Sequence, residues 1–75
     1  MAAAQQQVSE NLGIVEKNLV IARGRTMNAV QADLVSKVNS FVAESRESSR
    51  DGDWARARNL TKKAQLLSEE LVASF

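Results

Sequence analysis

The sequence predicts an all-α fold, an up-down-up three-helix bundle. Three observations lead there. The 75 residues hold no proline and only three glycines, and good helix formers (alanine, leucine, glutamine, glutamate, arginine, lysine) dominate. Apolar residues return at alternating steps of three and four, the repeat of a helix that buries one face. Gly24 and Gly52 divide the chain into three near-equal segments. Each would make a rod of about 30 Å, and short links force antiparallel neighbours. The alternative is a long antiparallel hairpin of the second and third helices, completed by another chain. Residues 1–75 read as a single helical domain, with helices at about 5–23, 29–50 and 54–73.

The first helix carries its stripe on Val8, Leu12, Val15, Leu19 and Ala22. Gly13 interrupts it at a cost of about 1 kcal/mol relative to alanine; it either permits close approach of a neighbouring helix or is simply tolerated. Arg23 and Gly24 predict a cationic last turn and a left-handed cap. In the second segment, Asn28 and Gln31 fit a capping box, with Thr26 as the competing cap. Leu34, Val38 and Phe41 form its stripe, which fades into Ser45 and Ser48. These small residues either admit a close neighbour or leave that end poorly filled. Asp51-Gly52-Asp53 is the clearest turn, with Gly52 at positive φ and Asp53 capping the third helix. The last stripe runs Ala57, Leu60, Ala64, Leu67, Leu71.

Charge narrows the classes of function. The net charge is +1, which gives no strong pull toward nucleic acid or acidic membrane. Arg56, Arg58, Lys62 and Lys63 nevertheless crowd the start of the third helix, ahead of Glu69 and Glu70. That order opposes the helix dipole. Folding back at the turns offers an explanation, because acids and bases on antiparallel neighbours come level. The expected pairs are Glu47 with Arg56, Glu44 with Arg58 and Lys62, Lys37 with Glu69, Lys17 with Asp33, Glu16 with Lys37, and Glu10 with Lys63. The competing reading makes Arg56, Arg58, Lys62 and Lys63 an anion or nucleic-acid site. Only Trp54 lies near to stack on a base, and it is read as covering the bundle end at the turn.

Catalytic chemistry has little to work with. The chain has no histidine and no cysteine, so proton transfer near neutral pH, thiol chemistry and the commonest metal ligands are missing. Ser36 and Lys37 are adjacent and point to different sides of a helix. Asp51 and Asp53 resemble the opening of a calcium loop but lack its later carboxylates. The expectation is a non-enzymatic protein with no cofactor and no metal. No stretch is long and apolar enough to span a membrane. The start, MAAAQQQVSE, lacks the basic and apolar regions of a signal peptide.

Gly52, Trp54, Ala57 and Ala64, with Phe41 upstream, resemble one tetratricopeptide-like helical hairpin over residues 37–70. The resemblance implies close packing of two helices through small alanines. Leu60, Thr61, Glu44, Ser45 and Ser48 depart from that pattern, and no second copy follows. The run from Gly52 to Leu71 is also similar to helical tails of uncharacterised bacterial envelope proteins, which implies no activity.

What remains is apolar surface beyond the stripes: Ile14, Val20, Ile21, Val35, Val42, Leu66, Val72 and Phe75. Either they widen the core stripes into one broad core, or those left exposed mark association surfaces. The function expected is protein–protein interaction, by self-association or by docking with a protein partner. Ile14, Ile21, Val35, Val42 and Leu66 are its candidate interface.

Overall fold

A computed structural model describes residues 2–75. Helix α1 spans Ala2–Arg23, α2 spans Ala29–Arg50 and α3 spans Trp54–Ala73. There is no strand among the described residues. The bundle is elongated, 39 × 17 × 14 Å. Helix α1 starts about one turn before the expected boundary. Ala4 lies four residues ahead of Val8 and is buried with it, so the helical stripe continues into the alanine tract.

Helix α3 is the hub. It packs along α1 on one side and α2 on the other, whereas α1 and α2 scarcely touch. The hairpin alternative therefore gives way to a bundle that includes α1. The stripes converge on a core of Val15, Leu19, Ala22, Val38, Ala64 and Leu71. Leu34, Val35, Phe41, Val42, Leu67 and Phe75 pack against it, half-buried. Ala57 and Ala64 are fully buried, so α3 lets its neighbours approach closely at those two positions. Ser45 and Ser48 are buried too, and their hydroxyls donate to the Val42 and Glu44 carbonyls. Small polar residues here admit a close neighbour by bonding to their own helix.

The turns follow sequence chemistry closely at one link and loosely at the other. Asn28 and Gln31 form the full capping box. The Gln31 backbone N–H donates to Asn28 Oδ1 at 2.8 Å, and the Asn28 N–H donates to Gln31 Oε1 at 2.9 Å. Gly52 has φ +79°. Its N–H donates to the Ser49 carbonyl, and the Asp53 N–H donates to the Ser48 carbonyl. This paired closure requires the left-handed residue that glycine supplies. The Asp53 carboxylate then accepts from the Arg56 N–H. Gly24 differs from expectation. Gly52 is the only positive-φ residue described, so α1 does not end in a left-handed cap. It closes instead by three-residue bonds from the Gly24 and Arg25 N–H groups to the Ile21 and Ala22 carbonyls.

The cross-helix ion pairs expected from sequence do not form. The one salt bridge among the described residues is Lys37–Asp33 at 3.2 Å, within α2 and exposed. The side chains involved are long and solvated, and such pairs gain little from being fixed. Register is set by short polar side chains instead. Asn11 Nδ2 donates to Thr61 Oγ1 at 3.2 Å, and Asn18 Nδ2 donates to Ser68 Oγ at 3.0 Å. Both bonds join residues fifty apart, one heptad above the other, so α1 and α3 run parallel. At the far end Gln31 Nε2 donates to the Ser74 hydroxyl at 2.9 Å and to its carbonyl at 3.3 Å. This ties the start of α2 to the end of α3.

Candidate functional site

Because α1 and α2 both turn toward α3, the space between them stays open. It forms a groove of about 330 Å³. Leu12, Val15, Glu16, Leu19 and Arg23 line it from α1, and Asn39, Val42, Ala43 and Arg46 line it from α2. Helical periodicity explains the sorting. On α1, Asn11 and Asn18 reach α3, while Leu12 and Leu19, one residue further on, turn about 100° toward α2. The floor is aliphatic and the rim carries Glu16, Arg23 and Arg46.

The five expected interface residues are not one surface. Val42 lines the groove, and Val35 is half-buried beside the core. Ile14 and Ile21 are exposed, at 38% and 42%. Each follows an α3-bonded asparagine by three residues, which places them on the α3 side of α1, away from the groove. Leu66 is 54% exposed and borders a shallow patch with Phe41, Lys63 and Leu67, between α2 and α3. Val72 and Phe75 are half-buried, and Phe75 packs against the core with Arg25 over its ring at 5.2 Å. Val20, by contrast, is 64% exposed.

The four cations of the alternative anion site separate as well. Arg58 and Lys62 line a polar cleft against α1 with Gln7, Glu10, Asn11 and Asn59. Lys63 lies on the other side of α3, its ammonium 5.9 Å from the centroid of the Phe41 ring. Arg56 precedes Lys63 by seven residues and shares its side. The cleft thus has two cations facing one carboxylate rather than four cations in concert. Trp54 is half-buried at the bundle end and borders a cavity with Ala3, Ala4, Gly52, Asp53, Ala55 and Arg58.

Of the two accounts of Gly13, close approach within the chain does not hold. A Cβ added there meets nothing within 4 Å, so no helix of this chain uses its small size. The Asn11–Thr61 and Asn18–Ser68 rungs were not singled out as a register device by the sequence reading. Their signal was present, since both members of each helix recur at seven residues within an otherwise apolar stripe. No helix among the described residues is long and apolar enough to cross a membrane. No known protein family, characterised protein or solved structure matches the chain.

Proposed function

We propose that this chain is a non-catalytic helical module that works by protein–protein contact, and that the α1–α2 groove is its receiving face. One observation carries the reading: two helices of a three-helix bundle leave their shared side unclosed, with Leu12, Val15, Leu19 and Val42 beneath it. An aliphatic floor with a charged rim suits another amphipathic helix, which would lay its apolar stripe along the groove. Residue chemistry favours this over catalysis, since neither histidine nor cysteine is present.

The absence of native cysteine permits a clean test. A solvatochromic dye is attached at Asn39→Cys in the groove, or at Ser40→Cys, exposed and outside its lining. Emission is followed from about 1 μM to about 1 mM protein, in low salt and in about 0.5 M salt. The expected result is a blue shift that grows with concentration at position 39 alone and survives salt. Equal behaviour at both positions, or no shift at either, overturns the groove as the contact face. A shift abolished by salt points to charge rather than apolar contact and overturns it too.

A further inference from the structure

We infer that α1 of a second copy of this chain lies antiparallel over the last two turns of α1, along the edge of the groove, about a two-fold axis close to Val20. The inference rests on the groove reading above and names the partner. Glu16 and Arg23 line the same edge of α1, seven residues apart and opposite in sign. Neither has a salt-bridge partner among the described residues. An axis crossing α1 between residues 19 and 20 sets Glu16 of each copy level with Arg23 of the other. The pattern is therefore self-complementary: one rotation forms both pairs and the assembly closes as a dimer.

Two further features fit the same geometry. Val20 lies between Glu16 and Arg23 along the helix and is the most exposed large apolar residue of α1, at 64%. The axis brings it against its own counterpart, where its exposure ends. Ala43, small and exposed on the opposite wall, leaves the approach of the second copy clear.

Charge exchange tests the pairing. Glu16→Arg and Arg23→Glu are made singly and together, and each variant's helicity is checked by circular dichroism, both sites being exposed. Sedimentation equilibrium then measures self-association. Each single variant sets like charges against each other twice across the axis, so association should weaken about tenfold or more. The double variant should recover it. Mixing the two single variants is the sharpest arm, since their heterodimer restores opposite charges at both contacts and should form where neither alone associates. Unchanged self-association of the single variants overturns the proposal, as does failure of the mixture to pair. A wild-type chain that stays monomeric at about 1 mM also overturns it. If the groove dye shifts while charge exchange has no effect, the groove reading stands and only the pairing through Glu16 and Arg23 falls.

Discussion

Helix α3 meets its two neighbours by different means. Toward α1 it offers hydroxyls, Thr61 and Ser68, which accept from Asn11 and Asn18. Toward α2, Phe41 approaches Lys63, Leu66 and Leu67, and the α2 serines that turn inward bond to their own carbonyls. The first seam is selective. A half-buried amide that misses its hydroxyl loses a hydrogen bond and keeps part of its desolvation cost, so wrong offsets are penalised. The second seam has no such device along its length and takes its alignment from its ends, through the tight Gly52 turn and the Gln31–Ser74 clasp. Packing supplies stability on both sides, while polar groups select the arrangement.

The comparison can be broken in order of effect. Leu71→Ala empties a fully buried position that serves the shared core. It should cost about 2–5 kcal/mol in urea unfolding, a large fraction of what a domain this small has. Asn11→Ala with Asn18→Ala should cost about 1–2 kcal/mol in total, because Thr61 and Ser68 still donate to the Arg58 and Gln65 carbonyls. Its clearer mark should be broadened amide resonances in α1, with those of α2 unchanged. Equal broadening on both sides would remove the distinction between the seams. Gly52→Ala puts a side chain at φ +79° and should destabilise by about 1 kcal/mol. Gly13→Ala should do the reverse at low protein concentration, raising stability by about 0.5–1 kcal/mol, since its site is open. Two glycines with opposite signs would separate the one the fold requires from the one it does not.

Much of the fold was legible because it rests on local rules. The stripes, the Asn28–Gln31 box, the Asp53 cap and the Gly52 turn each depend on residues within a few positions of one another. The charge pairs were not legible. Level placement on antiparallel helices brings long side chains near each other without fixing them, and Lys63 found an aromatic face instead of an acid. The groove was hidden for a related reason. Spacing shows which residues share a face of one helix but not how far apart two helices stand. Val35 and Val42 on α2 looked equivalent to Ile14 and Ile21 on α1, yet only the first pair packs against the core.

The heptad spacing of the asparagine rungs has a mechanical consequence. A ladder that repeats every seven residues can be engaged one step out of place, with Asn18 on Thr61. That step displaces α1 by about 10 Å along α3. What opposes it is the link of residues 24–28, which would have to straighten and give up the Gly24 and Arg25 bonds that close α1 while Asn28 and Gln31 hold the start of α2. The turn is thus the pawl of a ratchet whose teeth alone cannot choose a notch. Splicing a few flexible residues into it would release the catch and let one sequence populate two alignments.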